Sequence, residues 1–530
     1  MKRRIALAIT VISALAAAAV AIAASSNGGV QANSPQVAGN ASSDATAVFP
    51  TNKQNEPSIA VNPVDGTHLI AGSNDEQLQP PCGPGPVRGS TAARNDCSFF
   101  PNVGTDGVYT SSDSGATWTN RGLLAGFSDY PADPDQLVSD GDPVIVYGPK
   151  PNASGGFTFT NGARAYYAGL ASYSSGAARG NQAPELLTVS RSDDSGTSWS
   201  APVIAVSGHG YTFNDKEALW ADRNPDSPYF GRVYISWTQF RGIPGCAEPV
   251  MFAYSNDGGS TWSKPDQITA AHSCGIGGRQ GSTIRSGPDG TVYLQWEDSD
   301  KSGSIQAIAA SHDGGATFSK PSTIAGLTDI AAAIPGSNFR TDSFASLAVD
   351  QTSGAVYAAW SDAASGVGTI VVYKSPAGGT SWSKVYTSPG IEGYRFFQGL
   401  DVAPNGRVDL GYQALTAENA STSGTGNAEV TAYYVGLPVG GTWSTAIPIS
   451  APSDPAASAQ NNLQLQFWGD YNTLVSTNTA AWFIYTDARN GVGCPAVDAY
   501  QAGTAPKPAP EDVCAGQFGN TDAYVSTITP

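Results

Sequence analysis

The sequence predicts an all-β protein, a single seven-bladed β-propeller of four-stranded antiparallel blades, with six blades as the alternative. Three observations predict it. An eight-residue turn motif recurs along the chain. A pair of short apolar strands precedes each copy. No helical period longer than two turns occurs after the N-terminal segment. A length of 530 residues would by itself suggest several domains. The repeat overrides that prior, because stacked repeats share one continuous core.

The turn motif reads Ser-x-Asp-x-Gly-x-Thr/Ser-Trp/Phe. Its intact copies run Ser111 to Trp118, Ser192 to Trp199, Ser255 to Trp262 and Ser311 to Phe318. Two worn copies follow. The one from Ser375 to Trp382 carries Ala377 in place of the Asp, and the one from Gly436 to Trp443 has lost both Ser and Asp. The carboxylates of Asp113, Asp194, Asp257 and Asp313 are placed to accept N–H groups of their own turns. The Gly supplies a positive φ. The aromatic residue opens the next strand and packs between sheets. These four Asp residues are therefore read as structural.

The strands before each turn alternate apolar and polar residues and are rich in β-branched and aromatic side chains. Pro57-Ser-Ile-Ala-Val pairs with Leu69-Ile-Ala-Gly. Glu217-Ala-Leu-Trp-Ala pairs with Arg232-Val-Tyr-Ile-Ser-Trp, and Ala345-Ser-Leu-Ala-Val with Ala355-Val-Tyr-Ala-Ala-Trp. Six units of this kind begin near residues 55, 139, 213, 279, 341 and 394. A seventh begins at Trp468, has three strands and no turn motif, and is expected to take its fourth strand from residues near 44–50. Gly/Ser/Ala/Thr-rich residues 161–182 and 415–428 read as surface loops.

The chain opens with Met1-Lys2-Arg3-Arg4 and an uncharged run from Ile5 to Ala24, which reads as a secretory signal peptide over residues 1–24. The run is also long enough to anchor the chain if it is not cleaved. Residues 25–50 read as a flexible leader, and residues 51–530 as the propeller domain. The formal charge of −17 makes nucleic acid a poor partner. An exported, monomeric protein is expected, with no membrane contact after cleavage. Six cysteines in an exported chain favour disulfides, and they fall as near neighbours: Cys82 with Cys97, Cys246 with Cys274, and Cys494 with Cys514. The four histidines are scattered and no CxxC occurs, so a transition-metal site is not expected. Asp129, Asp133, Asp135, Asp140 and Asp142 are dense enough to hold Ca²⁺, but a solvated acidic loop is the simpler reading. No cofactor is required.

The turn motif resembles the Asp-box of the sialidase superfamily, and the likeness runs from about residue 55 to the end of the chain. It implies an extracellular glycan or glycoconjugate as partner. It also implies a glycoside hydrolase of exo-α-sialidase type, with arginines on the carboxylate of an acidic sugar, a Tyr nucleophile activated by a carboxylate, and an Asp as acid–base. The chain departs from the family in lacking its Phe/Tyr-Arg-Ile-Pro stretch; the nearest string, Phe339-Arg340-Thr341-Asp342, lies in the fifth unit without the proline. No catalytic position carries over by motif.

Candidates therefore come from position. The first-strand starts and second-strand ends of a propeller meet at one mouth of its channel. In a chain only 13% charged, these positions are unusually rich in charge. Asp215, Glu217 and Tyr471 are the catalytic candidates. Arg279, Arg340 and Arg395 are the candidate carboxylate clamp, and Trp237, Trp296, Trp360 and Trp468 are candidate sugar-stacking platforms. The same arginines and acids could instead pair with each other and hold the ring. The rival functions are a non-catalytic carbohydrate- or protein-binding propeller at the cell surface and a purely structural surface protein, since fold does not decide function.

Overall fold

A computed structural model of the chain is a closed ring of seven antiparallel sheets, all four-stranded but the last, which has two short segments on its outer edge. The structure describes residues 23–24, 28–35, 37, 53–77, 104–128, 136–173, 185–208, 212–242, 247–271, 278–300, 302–332, 334–389, 393–417, 428–460, 462–508, 513–514 and 516–530. The first strands of the blades are Gln54–Val61, Leu137–Pro151, Thr212–Ala221, Arg279–Ser286, Ser346–Val349, Tyr394–Val402 and Thr473–Ser476. Each packs beside the first strand of the next blade, and the last packs beside Gln54–Val61. Each first strand is the inner edge of its own sheet, and the closed ring turns those edges toward the channel.

The four intact turn motifs share one hydrogen-bond pattern. In the first, Ser111 Oγ donates to Asp113 Oδ1 over 2.8 Å and accepts from Gly115 N over 2.9 Å. The Asp113 carboxylate also accepts from Thr117 N and Oγ1, at 2.9 and 2.6 Å. Asp194, Asp257 and Asp313 repeat it. In the worn copy with Ala377, the Ser375 hydroxyl is buried and meets no hydrogen-bond partner among the described residues. The motif aromatics Trp118, Trp199, Trp262 and Phe318 pack against the apolar layers between blades.

The donors around Asp313, first the Thr317 hydroxyl and then the Thr317 N–H, hold its carboxyl at about 2, below the ordinary carboxylate range. A depressed folded-state value stabilises the fold above the unfolded value and loses that contribution as pH falls through the folded one. Asp313→Asn is therefore expected to destabilise the protein at neutral pH. The gap from wild type should close between about pH 4 and pH 2 in thermal melts across that range.

The last blade is built from Thr473–Ser476, Ala481–Asp487 and Asp522–Thr529, and its outer edge comes from the N-terminal side of the chain. Val30–Gln31 pairs with Asp522–Thr529 in the register Val30 to Val525, and Ala23–Ala24 pairs farther along the same strand. The fourth strand expected from residues near 44–50 falls outside the described residues. Asn33 fastens this closure. It donates to Asp522 Oδ1 over 2.8 Å and to Gln54 Oε1 over 2.7 Å, and it accepts from Ala523 N over 3.0 Å.

Two expected loops begin or end as strand. Residues 161–173 belong to Phe157–Tyr173, which pairs with Leu137–Pro151. The small residues there, Ala163, Ala165, Ala168 and Ala171, are buried, so they mark close sheet packing rather than a loop. Residues 415–417 likewise extend Val408–Ala417, and Ala428 opens Ala428–Leu437.

A short helix, Pro495–Gln501, follows Ala481–Asp487, and the Cys494–Cys514 disulfide ties its start to the chain beyond it. The other two expected disulfides fall outside the described residues. Among the described residues no helix is long and apolar enough to cross a membrane.

Candidate active site at the channel mouth

The first strands do not run straight into the ring. Register breaks fall between Asn55 and Ser58, Gly141 and Val144, Asp215 and Ala218, Gln280 and Thr283, and Phe396 and Gly399. These are β-bulges at one level of five successive or neighbouring blades, and bulges re-aim side chains. A residue at each break has a left-handed backbone: Glu56 at φ 52°, Asp142 at 57°, Lys216 at 55°, Gly281 at 62° and Phe397 at 48°. For residues that carry a Cβ this costs about 1–3 kcal/mol each. Three of the four strained non-glycine residues are charged and belong to one cluster.

Asp470 is the centre of that cluster. Arg340 grips it with a fork, Nε to Oδ1 and Nη2 to Oδ2, both at 2.6 Å. Lys216 Nζ donates to the same carboxylate. Lys216 also lies 3.8 Å from Asp142, and Arg340 lies 3.7 Å from Glu56. Asn74 joins the carboxylates, donating to Glu56 Oε2 over 2.7 Å and accepting from Asp142 N over 2.8 Å. Gly469 makes this packing possible. A Cβ there would come within 2.8 Å of the Glu56 backbone.

The electrostatics divide the carboxyls into two kinds. Burial would raise the Asp470 carboxyl, but Lys216 and Arg340 outweigh it and hold it below its ordinary range. Burial, followed by the Asp142 and Asp470 charges, pushes Glu56 well above its ordinary value. Burial and then Asp142 do the same to Glu217. Asp215 rises to about 7; burial is the largest cause, and Lys216 opposes it while Asp142 adds to it. Lys216 and Arg340 thus hold Asp470 down, while burial lifts Glu56 and Glu217 and brings Asp215 to about 7.

The catalytic candidates Asp215, Glu217 and Tyr471 are all brought to this cluster. Burial first, and then Asp142, Glu56 and Glu217, push the Tyr471 hydroxyl far up, away from a phenolate. The Tyr471 hydroxyl and both Glu217 carboxyl oxygens are buried without a hydrogen-bond partner among the described residues.

The three arginines do not converge. Arg340 is half-exposed at the mouth, with 50% of its side chain accessible. Arg279 instead pairs with Asp298 at 2.8 Å. Arg395 is buried at 1% exposure, beside Tyr412, Tyr386 and Tyr433.

The four tryptophans offer no stacking face, for Trp237, Trp296, Trp360 and Trp468 are all completely buried. Alternation along the strand turns Trp237, Trp296 and Trp360 into the apolar layers, and Trp468 is buried in the segment before Thr473–Ser476. There Trp360 stacks on Tyr373 at 4.8 Å and Trp468 on Phe339 at 5.8 Å. Two of them also anchor hydrogen bonds: Trp237 donates to Asn214 over 2.9 Å and Trp468 to Gln413 over 3.0 Å.

Of the five Asp residues weighed for Ca²⁺, Asp129, Asp133 and Asp135 lie outside the described residues. Asp142 faces the cluster, while Asp140 lies beside Ser172 and Glu185. Among the described residues no group of three or more His, Cys, Asp or Glu is arranged to hold a metal.

Glu56, Asp142 and Lys216 sit in first strands and Asp470 just before one, and their roles depend on which neighbours the ring presents to them. Below the cluster a cavity of about 190 Å³ runs down the channel between the first strands, from Lys216, Glu217 and Tyr471 to Arg223, Arg285 and Asp401.

No protein-family model matches the sequence, and no curated protein matches it. Among solved structures the chain is similar to a protein of unknown function from Dyadobacter fermentans, at 17% identity and a TM-score of 0.42, over 73% of this chain and 96% of that one. It is similar to a leech intramolecular trans-sialidase at 15% identity and a TM-score of 0.41, over 71% of this chain and 67% of that one. It is also similar to an α-L-arabinofuranosidase from Fusarium graminearum at 11% identity and a TM-score of 0.41, over 94% of this chain and 96% of that one. Each likeness is one of fold.

Proposed function

We propose that this chain is an exported glycoside hydrolase that acts on extracellular glycans through the carboxylates at its channel mouth. The observation that carries this reading is that Lys216 joins two unlike carboxyls: its Nζ donates to Asp470, which is held below its ordinary range, and its N–H donates over 2.8 Å to Asp215, which rises to about 7. Glycoside hydrolysis needs one carboxyl to give a proton to the leaving oxygen and one carboxylate to meet the positive charge developing at the anomeric carbon. Asp215 suits the first role, since a general acid works best with a value near the working pH. Asp470 suits the second, directly or through a water that it activates. Lys216 and Arg340 keep it ionised in a buried place.

A second reading is the exo-α-sialidase type, favoured by the half-exposed fork of Arg340. The carboxylate of an acidic sugar would there compete with Asp470 for the guanidinium. Against a tyrosine nucleophile stands the Tyr471 hydroxyl, which burial and then the neighbouring carboxylates push well above its ordinary value.

The test is turnover of a panel of fluorogenic glycosides, neutral and sialic-acid-bearing, by the mature chain across pH. Expected is turnover that falls as pH rises through about 7, where Asp215 loses its proton. Selective loss on sialosides in Arg340→Ala would establish the sialidase type. No turnover on any sugar would leave the non-catalytic binding propeller as the better account.

A further inference from the structure

The far end of the channel carries a second, opposite concentration of charge. Arg223 and Arg285 both lie over the Trp220 ring, at 4.7 and 4.5 Å from its centre. Burial brings the Arg285 guanidinium down to about 10; Asp401 opposes that shift and the like charge of Arg223 adds to it. Arg285 spends one donor on the Ile284 carbonyl at 2.7 Å, while its Nε is buried with no partner. Neither guanidinium makes an ion pair with a carboxylate of the described residues. Asp401 feels both arginines, but its Oδ2 accepts from Ser476 N over 2.8 Å. Two cations thus face one nearby carboxylate.

The position is open to ligands. Arg223 lines both the channel cavity and a wider depression of about 800 Å³ on the face of the turn motifs. Neutral polar residues, among them Asn224, Gln351, Thr477 and Asn478, share that depression. Trp220 is held from behind by its own Nε1, which donates to Ser286 over 2.9 Å. The ring therefore fixes where the two guanidiniums sit.

We propose that Arg223 and Arg285 form an oxyanion-binding site at the turn-motif end of the channel, taking a carboxylate, sulfate or phosphate group that enters from that face. It is separate from the acid site at the other mouth and does not depend on the catalytic reading. A planar guanidinium with spare donors matches the paired oxygens of such groups, and the low-dielectric channel strengthens the contact. Spread over a surface, two arginines would be ordinary. Stacked on one ring, with a buried Nε unpartnered, they are preorganised.

The test is isothermal titration of the mature chain with glucuronate, sodium sulfate and sodium phosphate, each at constant ionic strength against chloride. Expected is millimolar or tighter binding of at least one, weakened about tenfold or more in Arg223→Gln, which removes a partly exposed side chain and should leave the fold intact. Arg285→Lys, which keeps the charge but loses the fork, should weaken it too. Lys320→Gln, at an exposed cation that lines neither cavity, should leave it unchanged. The anion that binds best identifies the group. Binding of none of the three through the millimolar range would overturn the proposal, as would equal loss in Lys320→Gln.

Discussion

Asp215→Asn is expected to lower kcat/KM by about 10²–10⁴-fold on glycosides with a poor leaving group. The substitution is nearly isosteric. It removes a proton donor whose carboxyl, at about 7, is largely protonated just below neutrality, so the local charge changes little there. The loss should shrink on substrates with activated aryl leaving groups, which depart without protonation. That contrast separates a general acid from a residue that only shapes the site. Uniform loss on both substrate kinds would move the acid role elsewhere, and Glu217 and Glu56 are the next carboxyls to test. Asp470→Asn should be as severe on every leaving group. It also leaves Lys216 and Arg340 facing an amide in a buried place, so its folding must be followed in parallel.

Trp237→Ala is expected to cost about 3–5 kcal/mol of stability in urea unfolding. The indole is fully buried between two blades, among Leu219, Ile235, Met251 and Leu187. Its removal would leave a cavity that rigid sheets cannot close. It would also strip a donor from Asn214, whose Oδ1 accepts from Trp237 and Gln239 and whose amide donates to the Glu185 carbonyl. Glycan binding by the folded fraction should not change, because the ring never meets solvent. A stability loss under about 1 kcal/mol together with lost glycan affinity would restore the stacking role.

Local features were legible because their chemistry is local. The Ser-x-Asp-x-Gly motif closes hydrogen bonds within seven residues, so Asp113, Asp194, Asp257 and Asp313 reveal their structural role in sequence alone. The strand pairs before each motif count blades for the same reason, and seven is the number found. The tryptophans misled, because a position near a strand end does not say which way alternation turns its ring. The arginines misled because positional equivalence around a ring is not convergence. Arg279 finds Asp298 on its own blade, and Arg395 turns into a layer of tyrosines.

What the sequence by itself determined is the all-β repeat, its turn chemistry and the gathering of charge at one mouth. Only the tertiary structure decided which charges meet. Asp470 is bound by Lys216, 254 positions earlier, and by Arg340, 130 positions earlier. The closing strand, Val30–Gln31, joins a partner at the other end of the chain. The physical reason is the closed ring. It makes neighbours of residues that no local period relates, and where they are buried those neighbours push each carboxyl up or down.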